Sequence, residues 1–165
     1  HFSHQISEQL LKSGKAERRN KEINRVSNML DWEILQNSVF DDLAEIRKAI
    51  YHEDYPTKKH RLTYKPYNFV TGDFKNYNNL KGTIIELKQI LGKSKFKNLR
   101  KLVRNPEKYA NYEFRKMFSK LNKEQKKRIK NSFDKIGITT KDIWHTEGDF
   151  LYNNFLDLVE LSDFI

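Results

Sequence analysis

The sequence predicts an all-α protein: a compact bundle of five to seven helices with one irregular loop over about residues 56–79. Three observations predict it. Apolar residues recur at steps of three and four through most of the chain. Residues typical of helix ends stand between these apolar stripes. Two of the three prolines, Pro56 and Pro66, fall in the expected loop together with the turn sequence Thr71-Gly72-Asp73.

The first apolar stripe runs over residues 23–50, which is long for one helix of a globular protein. We expect one long helix, or two helices with a break near residues 36–38, closed by Pro56. Helical spacing resumes in two segments, over residues 80–91 and 94–103. The first stripe consists of Ile23, Val26, Leu30, Ile34, Val39, Leu43, Ile46 and Ile50.

The second half of the chain carries clear helix-end signals. Asn105-Pro106-Glu107 has the order of an N-cap, a first-turn proline and a first-turn acid, and predicts a helix that continues to Leu121. Asn122 is expected to cap the next helix, which Gly137 ends in a left-handed conformation. The tail from Asp149 onward predicts a last amphipathic helix that covers the core.

The length of 165 residues fits one domain, and we expect a single all-α domain over residues 1–165. The chain begins with His1 rather than methionine, so we interpret it as a trimmed piece of a longer polypeptide. The absence of cysteine excludes a disulfide scaffold and a cysteine nucleophile. Because no apolar run is long enough to cross a membrane, we expect a cytoplasmic protein. Scattered histidines and the lack of a glycine-rich phosphate loop predict no metal and no cofactor.

The formal net charge of +10 is concentrated in the middle of the chain. Residues 56–136 hold 23 basic and 6 acidic side chains, whereas residues 1–55 and 137–165 are both net acidic. Clustered Lys and Arg release counterions from phosphate backbones, so this distribution favours a nucleic-acid partner, RNA in the first place, over an ordinary solvated surface. We expect no membrane binding, because the basic segments lack a Trp-rich apolar face.

Several basic residues share one face of a predicted helix, at steps of four, three and four from Lys93 to Arg104. Such a face can follow a phosphate backbone without reading bases. The candidate nucleic-acid-binding residues are Lys58, Lys59, His60, Arg61, Lys93, Lys97, Arg100, Lys101 and Arg104. A second basic series consists of Lys116, Lys120, Lys123, Lys127 and Lys130. Unpaired bases are expected to stack on Tyr64, Tyr67, Phe69 and Tyr77.

Arg47 and His52, separated by four residues, are the candidate catalytic pair. A ribonuclease that works without metal needs a proton donor or acceptor near neutral pH and a fixed cation for the charge of the phosphorane. This Arg-x4-His pattern resembles the motif of the HEPN superfamily, over about residues 20–56. The resemblance implies an all-α, commonly dimeric, metal-independent endoribonuclease of toxin or defence type. Arg47 and His52 would then be its catalytic residues.

Three functions therefore stay open at the level of sequence. The first is an RNA-binding endoribonuclease that uses His52 and Arg47, and the second is a helical nucleic-acid-binding module in which both are structural. The third is an interaction domain whose basic centre binds an acidic protein such as an antitoxin or immunity protein. A further pattern, Asp73 with Glu86 and Lys88, resembles the PD-(D/E)xK nucleases, but helical spacing argues against the strand that this fold requires.

Overall fold

The computed structural model describes residues 2–20, 28–33 and 42–165. In this part of the chain, six helices are combined with six short strands in two sheets. The expectation of an all-α bundle is therefore wrong, and the fold is mixed α/β with a predominance of helix. The all-α fold implied by the HEPN resemblance is corrected with it, whereas membership of that family stays a prediction.

The helices are α1 (Phe2–Asn20), α2 (Leu43–Tyr51), α3 (Tyr77–Leu102), α4 (Glu107–Ser119), α5 (Lys123–Asp134) and α6 (Phe155–Leu161). The strands are β1 (Met29–Leu30), β2 (His52–Asp54), β3 (Lys59–Arg61), β4 (Tyr67–Asn68), β5 (His145–Glu147) and β6 (Phe150–Tyr152). The first helix, α1, was not predicted. None of the described helices is long and apolar enough to cross a lipid bilayer.

The larger sheet has the strand order β2-β3-β6-β5. Strand β3 pairs antiparallel with β2 and parallel with β6, and β5 closes an antiparallel hairpin with β6. The smaller sheet pairs β1 with β4. Each strand has two or three residues, too few to show the two-residue period of a half-buried strand in the sequence. Within the strands the period is present, since His60 and Leu151 point inward between more exposed neighbours.

Three of these strands lie where helix was expected, the first of them β1 within the predicted stripe over residues 23–50. The backbone leaves the helical conformation at His52, and β2 follows α2 directly, whereas the sequence predicted helix up to Pro56. Strand β6 occupies the start of the expected C-terminal helix, which begins only at Phe155. Within the expected irregular loop over residues 56–79, the chain forms β3 and β4 before α3 begins.

Part of the first predicted stripe cannot be compared with the structure. Leu30 lies in β1, and Leu43, Ile46 and Ile50 lie on α2, which begins after the N-cap Asp42. The remaining positions of that stripe, together with the break expected at residues 36–38, lie outside the described residues: Ile23, Val26, Ile34 and Val39.

Helix α3 consists of two helical segments separated at Gly92, whose φ of 70° and ψ of 160° are non-helical. The two predicted segments are therefore confirmed, and a residue without a side chain stands at the break because this region of φ is strained for other residues. Gly137, with a φ of 73°, likewise follows the end of α5 as predicted.

The helix ends flanking α4 differ in how well the sequence predicted them. Asn122 caps α5 through a capping box with Gln125, as expected. Asn105 does not start α4; its side-chain amide donates to the carbonyls of Lys101 and Leu102 at the end of α3. Pro106 is the N-cap residue of α4 instead, with no side-chain hydrogen bond.

The main hydrophobic core joins α3, α4, α5 and α6. Phe114 of α4, Phe133 of α5 and Phe155 of α6 meet there with ring centroids 5.7 to 5.8 Å apart. Because these aromatic side chains are buried, the helix faces that carry them point into the core. The opposite faces of α4 and α5 therefore remain in solvent.

Asp157 of α6 is a fully buried carboxylate that ties the helices to the preceding segment. It accepts hydrogen bonds from Thr63 Oγ1 at 2.7 Å, from the Tyr64 backbone N–H at 2.8 Å and from the Tyr67 hydroxyl at 2.7 Å. Burial raises the pKa of Asp157 to about 6, although the charge of Lys65 lowers it in part. The group therefore titrates close to neutral pH.

Asp157→Asn should remove one component of the pH dependence of stability. Because the folded state holds this proton more tightly than the unfolded chain, the carboxyl stabilises the fold most at low pH, and its contribution is lost as the pH rises through about 6. Between pH 5 and 7 the wild type should lose about 1 kcal/mol of unfolding free energy more than Asp157→Asn. Urea titrations at both pH values measure this difference.

The exposed Asp163 provides the matched control. Asp163→Asn removes an exposed carboxylate, and loss of the same pH-dependent component in this variant would show that the effect does not come from Asp157. An Asp157→Asn variant whose stability also changes with pH as in the wild type would contradict the raised pKa of Asp157.

Candidate nucleic-acid interface

The outward face of α4 combines exposed aromatic and basic side chains. Ala110 and Phe114 point into the core, and the opposite face presents Tyr109 and Tyr112 with exposed fractions of 53% and 60%. The basic residues on this face are Lys108, Arg115 and Lys116. The Nζ atom of Lys116 lies 6.0 Å from the centre of the Tyr112 ring. Tyrosine this exposed leaves its ring face free to stack on a planar ligand.

Polar contacts hold α4 in this orientation. The Asn111 amide donates to Asp142 Oδ1 at 3.0 Å and accepts from the Ile143 backbone N–H at 3.0 Å. On the next turn, Arg115 Nε donates to the carbonyl of Lys141 at 3.0 Å. The segment 139–143 therefore lies along α4 and fixes its outward face.

A separate groove of about 650 Å³ lies at α5 and the C-terminal end of α4. Phe118, Glu124 and Thr140 line it together with Lys123, Lys126, Lys127 and Lys130. The Nζ atom of Lys126 donates to the carbonyl of Ser119, at the end of α4. We call the outward face of α4 together with this groove the α4–α5 surface.

The α4–α5 surface has a strong excess of positive charge. Residues 108–130 carry nine basic side chains and two acidic ones, Glu113 and Glu124. Glu113 forms a 3.6 Å ion pair with Lys116 on the same helix, an exposed contact that neutralises little. Within the described residues, Arg115, Lys123, Lys126, Lys127 and Lys130 form no ion pair. The surface thus offers both an aromatic platform and cations that are not neutralised by an acidic side chain.

The basic face predicted on α3 is formed in part. Lys93, Lys97, Arg100 and Lys101 are exposed on the second segment of α3. Lys97 pairs with Asp163 at 3.1 Å, a solvated contact that a phosphate could replace. Arg104 does not contribute a free cation to this face, because its guanidinium binds Glu53 at 2.9 Å and the carbonyl of Ile50.

The predicted patch at residues 58–61 is divided by the pleat of β3. Lys59 is exposed, whereas His60 is 1% exposed, with its ring between those of Tyr55 and Trp144. The ring of His60 therefore does not reach the surface. Arg61 pairs with Asp54 at 2.9 Å. The fourth member of the patch, Lys58, donates to the carbonyl of Gly148.

The aromatic residues expected to stack on bases are mostly structural. Tyr64 and Tyr67 are 3% and 0% exposed, so neither ring is available to a base. Phe69 is exposed, and its ring lies 5.5 Å from that of the half-buried Tyr77. The exposed tyrosines of α4 were missed as stacking residues, although Tyr109 and Tyr112 stand three apart among basic residues in the sequence.

Arg47 is held by two carboxylates. Its guanidinium pairs with Asp31 and with Glu33 at 3.3 Å, and it also donates to Ser13. The side chains of Asp31 and Glu33 are 4% and 0% exposed. Burial lowers the pKa of Arg47, and the two negative charges more than offset it, so that the pKa is raised. Its positive charge is therefore already matched within the fold.

His52 lies at the junction of α2 and β2, where its backbone N–H donates to the carbonyl of Lys48. Burial lowers the pKa of His52, and the positive charge of Arg61, its partner residue on β3, lowers it further. The imidazole is thus neutral near pH 7 and chemically able to accept a proton. Within the described residues, no interaction joins the side chains of Arg47 and His52. Their joint catalytic role stays a prediction.

The residues of the PD-(D/E)xK pattern do not adopt that arrangement. Glu86 and Lys88 lie on helix α3, and Asp73 lies in a turn before it, where it accepts from Asn68 and from the Lys75 backbone N–H. In the part of the chain that the structure describes, no group of three or more His, Asp or Glu side chains is placed to hold a metal ion.

Comparison with known proteins adds no family to these observations. No protein-family model matches the chain, and no curated protein sequence is significantly similar to it. The chain's own residues therefore carry any inference of function.

Arg47→Ala should destabilise the protein strongly, by about 3–5 kcal/mol, because it leaves the buried carboxylate of Asp31 without its cation and removes one of the two cations of Glu33, which keeps only Lys65 at 3.7 Å. The neighbouring Lys48 is exposed, and Lys48→Ala should change stability by less than about 0.5 kcal/mol. Urea unfolding of both variants measures the difference. Equal stability of the two variants would show that the ion pairs of Arg47 do not support the fold.

Proposed function

We propose that the protein binds single-stranded nucleic acid, RNA in the first place, through the α4–α5 surface. The observation that carries the proposal is the exposure of Tyr109 and Tyr112, at 53% and 60%, on a helix face whose other prominent residues are basic. Proteins that bind single strands without sequence preference combine a positive groove with aromatic side chains on which bases stack.

Different residues of this surface would bind different parts of the strand. Lys108, Arg115 and Lys116 would neutralise phosphates on either side of a base stacked on a tyrosine. The lysines of the groove, from Lys123 to Lys130, would bind phosphates at a second place on the strand. The exposed basic residues of the second segment of α3 provide an auxiliary contact. Because phosphate contacts carry no sequence information, the affinity should depend on salt more than on sequence.

Exposed tyrosines favour single strands over a duplex. In a duplex the base faces are already stacked on each other, so an aromatic side chain gains contact only where bases are unpaired. An acidic protein partner, such as an antitoxin or immunity protein, would use the same positive charge, and exposed tyrosines are also common in protein–protein interfaces, so the binding measurements below decide between the two. A cytoplasmic location, where RNA is accessible, is part of the proposal.

Tyr109→Ala combined with Tyr112→Ala should weaken binding to a labelled uridine oligonucleotide at least about tenfold, because each stacked base contributes about 1–3 kcal/mol. The dependence of affinity on salt should remain that of the wild type, since no charge is removed. Fluorescence anisotropy over a range of salt concentrations measures both quantities.

Phe164→Ala is the matched control, since Phe164 is 75% exposed and lies outside the α4–α5 surface. It should bind as the wild type does. If the tyrosine double variant also bound as tightly as the wild type, stacking on α4 would be refuted. Firm binding of an acidic protein, without RNA binding at physiological salt, would instead support the interaction domain.

Cleavage of the bound strand stays a separate prediction. A metal-independent ribonuclease with His52 as proton donor or acceptor should degrade RNA in the presence of EDTA, and His52→Ala should abolish this while leaving binding nearly intact. Gel analysis of total RNA incubated with both proteins measures it. RNA that stays intact in EDTA would refute this mechanism and leave a non-catalytic binding module.

A further inference from the structure

A polar cleft of about 330 Å³ lies between the first segment of α3 and the C-terminal half of α5. This volume is within the range of small-molecule sites. Its lining differs from that of the groove, since it consists of amides, hydroxyls and an ion pair. The polar residues are Asn78, Asn79, Thr83, Glu86, Arg128, Asn131, Ser132 and Lys135, and Gly82 completes the wall.

Gly82 is unexplained by the fold itself. It lies inside a regular segment of α3, and a Cβ atom built at this position would meet nothing within 4 Å. Neither backbone strain nor packing therefore requires glycine, although glycine is less favourable than alanine inside a helix. A molecule that lies against the backbone of α3 in the cleft would explain why this position has no side chain.

Several polar atoms in the cleft lack partners in the part of the chain described. Ser132 is 8% exposed and lines the cleft, and its hydroxyl forms no hydrogen bond there. Glu86 binds Arg128 through Oε2 at 2.8 Å, which leaves Oε1 as a free acceptor. Asn131 is exposed at the cleft with both its donor and its acceptor unused.

We propose that this cleft binds one unpaired nucleobase that carries an exocyclic amino group. A heteroaromatic edge with donors and acceptors side by side matches the amides of Asn78 and Asn131, and the amino group would donate to the free oxygen of Glu86. The guanidinium of Arg128 offers a planar surface for stacking. Lys135, exposed at the cleft, is placed to bind the attached phosphate.

The cleft lies beside the surface that binds the backbone in the function proposed above, on which this inference rests. Lys127 lines the groove and Asn131 lines the cleft, and residues four apart on a helix are neighbours. A strand that follows the groove could therefore place one base in the cleft. The same site would accept the base of a free nucleotide, because a free nucleotide presents the same base edge and the same amino group.

Two ligand series distinguish these sources. The first consists of the mononucleotides AMP, CMP, GMP and UMP, measured by calorimetry. The second consists of oligouridine carrying a single A, C or G, measured by anisotropy against oligouridine itself. At least one amino-bearing base should bind about tenfold more tightly than uracil in the oligonucleotide series. Preference in the mononucleotide series as well would identify free nucleotides as a second source.

Gly82→Leu is the decisive variant, since its side chain would occupy the cleft while leucine favours helix. It should abolish the base preference while the melting temperature stays equal or rises by about 3 °C. Ser132→Ala should reduce the preference in the same direction. Gly14→Ala, a helical glycine replacement on α1 with ordinary contact to Met29, should leave the preference intact.

Two results would overturn the inference: no preference for any amino-bearing base in the wild type, or a preference retained in Gly82→Leu. Either can occur while oligouridine still binds through Tyr109 and Tyr112, which would leave the proposed function standing. If the wild-type protein bound no oligonucleotide at all, the proposed function itself would be refuted.

Discussion

The buried carboxylate of Asp157 is the contact on which the arrangement of the fold depends. Together with Glu160, one turn further along α6, it holds the segment 63–67 against the helices. Lys65 from that segment binds Glu160 at 3.0 Å and Tyr51 at 2.5 Å, and Tyr51 in turn donates to Glu33 at 2.7 Å. A buried charge pair left without one partner is costly, so these groups specify a single way to join the sheets to the helices.

The same constraint positions the proposed interface. Helix α6 packs in the core against α4 and α5 through Phe155, and that packing turns Phe114 and Phe133 inward. The helix faces opposite the core then remain in solvent, and they carry Tyr109, Tyr112 and the groove lysines. The basic surface is therefore a consequence of how apolar residues alternate with charged ones along α4 and α5, and its rigidity comes from the core behind it.

The sequence predicted the helices of the second half of the chain because they are amphipathic and have strong end signals. Asn122 and Gly137 are examples, since each acts through local chemistry. The strands were missed because three residues cannot show a period, and their pairing depends on partners as distant as Lys59 and Phe150. The ion pairs of Arg47 were also hidden, because Asp31 and Glu33 reach it only through the fold. For the candidate interface, the composition predicted the positive charge, but it did not show which tyrosines are exposed.

Photo-crosslinking to a single strand tests the central claim most directly. The wild-type protein would be irradiated with an oligonucleotide that contains 5-iodouridine, and the crosslinked residues would be identified by mass spectrometry. Crosslinks at Tyr109 and Tyr112 are expected, since stacked aromatic side chains lie closest to the modified base. Crosslinks confined to the β2–β3 hairpin or to α1, with none on α4, would contradict the account.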